Sequence, residues 1–385
     1  MSRIILPIVL GMMGAAWLLY SDLRKPRFEP DPSGQGGYEW VDRNHDRIPD
    51  LGDPKEFRIT DDGSGDFRLI TARETLGRLD WTWYSTLWLV LAVVATALRD
   101  LGYMIRIRIL TDKALNWRSA FNVIMLWEFA SSLSPSVVGG SGFAMFIIDR
   151  EGIPLGRSTA IVLVTAMLDE IFYIISVPLV FLLVGMDDLF PQQLDNAFWG
   201  LPIMTIFWIG YAFIISMTSV VSYAIFFRPR AFKYALLYIF RWRLLRRWRP
   251  HVVKVGDDMV IASAELRGKS AAFWTKAFSA TCLSWSFRFL VINFLAAAFF
   301  PVSDHLLLYA RQLIMWVILL ISPTPGSSGV AELAFSGFFG DLFPALGLIG
   351  AVAVIWRLLS YYLYLFVGVI TLPRWLRRTA RKARS

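Results

Sequence analysis

Hydrophobic runs dominate the chain, and polar positions punctuate them at regular intervals. Long apolar stretches cover residues 4–20, 81–106, 155–184, 201–227, 271–300 and 346–370. Each is near or beyond the roughly 18 residues that mark a bilayer-spanning helix. Two further apolar stretches, 120–148 and 306–339, are interrupted in the middle. The first breaks around Ser134-Pro135 and the glycines that follow, and the second at Ile321–Glu332, a run holding two prolines and two glycines. Proline removes a backbone donor and glycine permits sharp reversals, so neither run predicts a continuous helix. At bilayer depth, irregular backbone persists only where protein or a water-filled cavity covers it, so each break predicts a site rather than a loop. An ordinary turn between two short spans is the alternative.

The two broken stretches sit at matching places. Ser322-Pro323 repeats Ser134-Pro135, and the same sequence offset relates Arg357 to Asp169 and Arg288 to Asp100. Each half therefore reads as a span with a charge, a broken hairpin, and a second span with a charge, the weak internal symmetry of transporter repeats. Three full spans separate the starts of the halves, an odd number, so the halves are expected to be inverted. Basic residues cluster after the span at 81–106, within 228–270 and at the C-terminus, whereas 185–200, 301–304 and 340–344 contain no Lys or Arg. By the positive-inside bias the basic clusters are expected in the cytoplasm, and the polar segment 21–80 outside it.

The expected architecture is an all-α polytopic membrane protein with about six full spans and two broken re-entrant hairpins in an inverted repeat. Its expected divisions are a signal anchor at 1–20, an extracytoplasmic loop at 21–80, a first repeat with a linking span at 81–227, a basic interfacial segment at 228–270, a second repeat at 271–371 and a basic tail at 372–385.

Composition agrees with this picture. Of 385 residues, 56% are hydrophobic and 18% charged, with a formal net charge of +9. The basic residues flank apolar runs, and Arg241–Arg249 interleaves arginine with tryptophan, which suits an anionic membrane surface better than nucleic acid. Cys282 is the single cysteine and the histidines are scattered, so no Cys/His metal site is expected.

Residues 21–80 are rich in Pro, Gly and Asp up to about Gly65, which predicts no packed core there. Within them, Asp42, Asn44, Asp46, Asp50 and Asp53 offer oxygen ligands at short spacing. This resembles the thrombospondin type 3 calcium repeat, with Pro49 also matching and Arg47 standing where a glycine is usual. The resemblance implies a Ca2+ site; a solvated acidic loop is the alternative. Thr71 and Glu74 have the spacing of a capping box opening a short helix.

The charges inside the spans carry the functional argument. Asp169, Glu170, Arg288 and Arg357 left unpaired at the bilayer centre would cost on the order of 10 kcal/mol together, so they must face one another or water. One reading is an ion-pair lock between the halves, and the other is a polar path for a headgroup, with arginines meeting phosphate and carboxylates meeting an amine. Half-helices expected to start near Gly142 and Gly329 aim free N–H groups at the breaks. Ser141, Gly326, Ser327 and Ser328 are candidate contacts there, with Glu332 and Glu128 as candidate caps, headgroup ligands or proton sites.

The run Ser-Pro-Thr-Pro-Gly-x-x-Gly-x-x-Glu ending at Glu332, followed by Trp356-Arg-Leu-Leu-Ser-Tyr361 and Gly368, resembles the flippase-like integral membrane family. That family includes the membrane half of lysylphosphatidylglycerol synthetases. Ser132-Leu-Ser-Pro135 and Arg150-Glu-Gly-Ile153 resemble its first half, while the acid often found in the first hairpin is replaced by the glycine-rich 138–142. The segment after the last span is short and basic, so the resemblance implies lipid translocation without lipid synthesis. Membrane phospholipids are then the partners, and no enzyme activity is expected. A membrane enzyme using Asp169/Glu170 as base on a lipid-linked substrate, and a membrane scaffold, are the alternatives; no nucleophile–base pair or nucleotide loop supports the enzyme.

Overall fold

The computed structural model describes residues 27–43, 49, 54–60, 63–70, 74, 81–134, 136–191, 201–242, 249–320, 330–342 and 349–382. The expected signal anchor and nearly all of the Thr71–Glu74 capping box lie outside them.

The N-terminal polar segment departs from expectation. Four short strands, β1 (Arg27–Pro30), β2 (Tyr38–Trp40), β3 (Phe57–Ile59) and β4 (Phe67–Ile70), form one antiparallel sheet in the order β1-β4-β2-β3. Phe28 stacks on Phe57 at 4.0 Å between ring centroids, and Tyr38 and Phe67 pack edge-on at 4.9 and 5.1 Å. A packed core thus exists where composition predicted none. The glycines that suggested disorder serve close backbone approach: a Cβ on Gly36 would overlap the Phe67 carbonyl oxygen. The acidic run from Asp42 to Asp53 connects β2 to β3, and the Val41 N–H donates to the Glu56 carbonyl at 2.8 Å to close its base. Of the expected calcium ligands only Asp42 is among the described residues; Asn44, Asp46, Asp50 and Asp53 are not.

The rest is helical. The elements are α1 (Trp83–Leu110), α2 (Trp117–Leu133), α3 (Ser136–Arg150), α4 (Leu155–Val184), α5 (Ile203–Ser222), α6 (Pro229–Ile239), α7 (Arg249–Arg267), α8 (Ala271–Phe299), α9 (His305–Leu320), α10 (Val330–Phe339), α11 (Ile349–Arg357) and α12 (Leu363–Lys382). A π-helical turn, Tyr223–Phe227, extends α5, and another, Leu358–Tyr362, joins α11 to α12. Among the described residues, five helices are long and apolar enough to cross a membrane: Trp83–Leu110, Leu155–Val184, Ile203–Phe227, Ala271–Phe299 and Val352–Thr379.

The internal repeat is visible in the element boundaries. The offset from Ser134 to Ser322 also separates the start of α1 from that of α8, and the start of α2 from that of α9. The caps repeat as well. Asn116 accepts the Ser119 N–H at 2.8 Å to open α2. Asp304, its counterpart in the second half, accepts from Leu306 and Leu307 at 2.8 and 2.9 Å to open α9.

Contacts along α1 and α8 fix their relative direction. Trp81 meets Phe299, Trp88 meets Phe294, Gly102 lies against Ala280 and Ser284, and Arg106 reaches Thr281. Ascending numbers on one helix meet descending numbers on the other, so these equivalent helices run antiparallel and the halves are inverted.

Both broken stretches fold back. Helix α9, with 16 residues, reaches roughly 24 Å at 1.5 Å per residue, short of the about 30 Å hydrocarbon thickness. Asp112, just beyond α1, pairs with Arg157 at the start of α4 (2.9 Å) and with Lys269 just before α8 (2.6 Å). One face therefore holds the end of α1 and the starts of α4 and α8, so α2 and α3 return to the side from which they came. This face also carries Lys113, Arg228 and Arg230, with α6 and α7 between the halves. On the opposite face the buried Arg311 of α9 donates to Asp188 O (2.7 Å), Phe338 O (2.9 Å) and Asp341 Oδ1 (2.5 Å). That latch ties the second hairpin to the far end of α4. At the basic face Glu151, which ends the first hairpin, accepts from Trp375 Nε1 (2.7 Å) and pairs with Arg378 of α12.

The half-helix after the first break begins at Ser136 rather than near Gly142. The glycine run is therefore helical, and Gly140 serves packing: a Cβ there would overlap Ser131 Oγ and lie 2.9 Å from Ser131 Cα of α2. Ser141 accordingly sits in the second turn of α3. The second half-helix is described from Val330, and the expected start near Gly329 lies outside the described residues.

Gly368 has a similar packing role. An added Cβ there would run into the Phe129 ring where α12 crosses α2. Gly368→Leu is expected to destabilise this contact between the halves by about 1–3 kcal/mol, read as a lower thermal midpoint in detergent.

Candidate functional site

Helix α1 presents Arg99, Tyr103 and Arg106 on one face at i, i+4 and i+7. Antiparallel α8 presents Thr281, Trp285 and Arg288 at the same spacing. Between these stripes, α2, α4, α9 and the α11–π junction enclose a chamber of about 280 Å³. Glu128, Ser141, Asp169, Glu170, Arg288 and Arg357 all line it. The structure thus brings together six of the residues singled out from sequence. Gly326, Ser327 and Ser328 lie outside the described residues, and so does the side chain of Glu332, whose backbone is in α10.

The carboxylates are held differently. Asp169 pairs with Arg106 through both its oxygens, and Oδ1 also accepts from Trp285 Nε1 at 2.7 Å. Arg106 Nη1 additionally donates to Thr281 Oγ1 at 3.1 Å. Glu128 Oε1 lies 2.5 Å from Arg99 Nη2 and 3.4 Å from Arg288 Nη2. Arg99 also donates to Tyr364 Oη (2.5 Å), whose hydroxyl donates in turn to Asp100 (2.9 Å). Glu170 has one described partner, the Thr218 hydroxyl of α5 at 2.7 Å.

Arg106 lines the chamber and Arg99 holds Glu128 there, and sequence reasoning passes over both. In the chain Arg99 reads as a charge towards the end of the span and Arg106 as the start of its basic flank, although their spacing around a tyrosine marks one helical face.

Arg288 is placed between two rings, 4.8 Å from Trp285 and 4.9 Å from Trp316, which suits a partly desolvated guanidinium. Among the described residues its carboxylate contact is the long one to Glu128, and its buried Nε has no partner. Arg357 lies over the Tyr361 ring at 4.3 Å. It occupies the last position of α11, where the backbone enters the π turn, a local widening that recurs at functional sites. Tyr361 then donates to the Ser132 carbonyl at 3.2 Å, joining Trp356–Tyr361 to Ser132–Pro135 across the halves. No group of His, Cys, Asp and Glu suited to a metal ion is present among the described residues.

Residues 71–368 match the family described as Lysylphosphatidylglycerol synthase TM region. The chain belongs to that family. A UPF0104 membrane protein of Archaeoglobus fulgidus is 25% identical to it over 299 residues, covering 74% of this chain and 86% of that protein. The match to the lysylphosphatidylglycerol synthase TM region takes in the whole chamber and leaves out the strands of residues 27–70.

Proposed function

We propose that the protein moves a phospholipid with an anionic or zwitterionic headgroup between bilayer leaflets. The observation that carries this reading is a chamber at the junction of two inverted halves, lined by Arg288 with spare donor capacity and by Arg357. A guanidinium fork suits a phosphate oxygen pair, and such donors inside a membrane are costly unless a substrate or water uses them. The exposed apolar side chains of α1, α4 and α5 leave acyl chains in lipid while the headgroup enters. The basic face is taken as cytoplasmic, from the clustering of Lys113, Arg228, Arg230, Lys269 and Arg374 there. The lipid is carried without chemical change.

The test uses the purified protein in liposomes holding fluorescent phosphatidylglycerol, with a membrane-impermeant quencher outside. The protein is expected to make inner-leaflet label accessible faster than in protein-free liposomes, with the lipid mass unchanged. Movement no faster than in protein-free liposomes overturns the reading, and a changed lipid mass turns it towards an enzyme.

A further inference from the structure

We propose that Glu170 is a proton-binding site, taking up one proton as an anionic headgroup enters the chamber so that the two cross together. The second half of this statement rests on the lipid reading above, and the first does not.

The argument starts from the single proton of a threonine hydroxyl. Thr218 Oγ1 lies 2.7 Å from Glu170 Oε2 and 2.8 Å from the Ile214 carbonyl oxygen. A carbonyl only accepts, and a carboxylate only accepts. With Glu170 ionised, the hydroxyl can serve one of them and leaves the other without its proton. With Glu170 protonated, the carboxyl donates to Thr218 Oγ1 and the hydroxyl donates to Ile214, so both contacts are made at once. Thr281 is the comparison within the same chamber. It donates to Ala277 O at 3.0 Å while accepting from Arg106 at 3.1 Å, a fully satisfied arrangement with a cationic donor. At Thr218 the place of that donor is taken by a carboxyl, and a proton on Glu170 completes it.

Charge balance points the same way. The chamber is lined by Arg106, Arg288 and Arg357 and by Glu128, Asp169 and Glu170. Fully ionised, these described lining charges cancel, and Arg99 behind Glu128 is offset by Asp100 at 3.8 Å. Glu128 and Asp169 each have an arginine within ion-pair distance, whereas Glu170 has no Lys or Arg there among the described residues. The second break, residues 321–329, contains no Lys or Arg. The described lining from α5 and α9 contributes no ionisable group, and Tyr103, Tyr173 and Tyr361 add neutral hydroxyls. A headgroup with one negative charge would leave the chamber net negative in a poorly solvated setting. One proton on Glu170 restores neutrality at the carboxyl with no cation to hold it ionised. The proton comes from water on the side where the headgroup enters and leaves to water on the other.

Two measurements on the full chain test this. In ligand-free protein, infrared difference spectra across a pH series are expected to show a protonated-carboxyl band that titrates and is absent in Glu170→Gln. Thr218→Val is expected to keep the band and move its frequency, since the carboxyl loses its hydroxyl partner. No such band in the wild type, or its persistence in Glu170→Gln, overturns the proton site whatever the lipid does. In liposomes with fluorescent phosphatidylglycerol, an imposed pH difference is expected to bias the label between leaflets severalfold for wild type and not for Glu170→Gln. An equal response of both proteins overturns the coupling. A titrating band with no lipid movement in either protein overturns the lipid reading and the coupling together, and leaves the proton site standing.

Discussion

Replacing Arg288 by alanine is expected to reduce lipid movement roughly ten- to hundredfold while the protein remains folded. A charge-assisted hydrogen bond contributes about 1.5–3 kcal/mol, which sets that range. Folding is expected to survive because Glu128 keeps Arg99 at 2.5 Å when Arg288 is gone, so no buried carboxylate is stranded. The rings of Trp285 and Trp316 lose a stacked cation but keep each other at 5.9 Å. Arg288→Lys is expected to recover only part of the rate, since an ammonium supplies the charge without the planar fork. Rates in liposomes and elution as a monodisperse species in detergent check both halves of the prediction. Wild-type rates in a folded Arg288→Ala protein would show that the headgroup does not meet this residue.

Asp169→Ala is expected to act chiefly on stability, in contrast. It would leave Arg106, 4% exposed, with only Thr281 among its described hydrogen-bond acceptors. Removing one partner of a buried ion pair costs about 3–5 kcal/mol, because the remaining charge stays desolvated. The double variant Arg106→Ala/Asp169→Ala removes both charges and is expected to melt above either single variant. Additive losses in that cycle would show that the pair is not coupled. Helix α1 is held by this pair to α4 of its own half and, through Thr281 and Trp285, to α8 of the other. Under the proposed function this pair is the lock and Arg288 the headgroup contact, and the two variants tell those roles apart.

What could be read from the chain follows from how locally each feature is encoded. Spans, breaks and the constant offset between the halves are written in runs of neighbouring residues, and Asn116 and Asp304 cap their helices through backbone groups two or three positions away. The partners of Asp169 were harder to find, since Arg106 lies 63 positions away and Trp285 116. Arg99 and Arg106 read as end-of-span and flank charges because α1 runs on to Leu110, longer than a minimal span. Glycine misled twice. Around Gly36 it allows strands to approach closely, and at Gly140 it allows two helices to touch, yet in sequence both clusters resemble loosened backbone.

The antiparallel pairing of α1 with α8 bears on direction. Under the proposed function, two like halves pointing opposite ways offer equivalent doors to both leaflets, so the frame itself has no preferred sense of travel. Preference must come from positions where the halves differ: Glu170 lines the chamber, whereas its counterpart in the second half, Leu358, is half exposed and is not part of the chamber lining. A carboxyl thus reaches the chamber from one half without its equivalent from the other, and under the proposed function the two directions of passage are unequal.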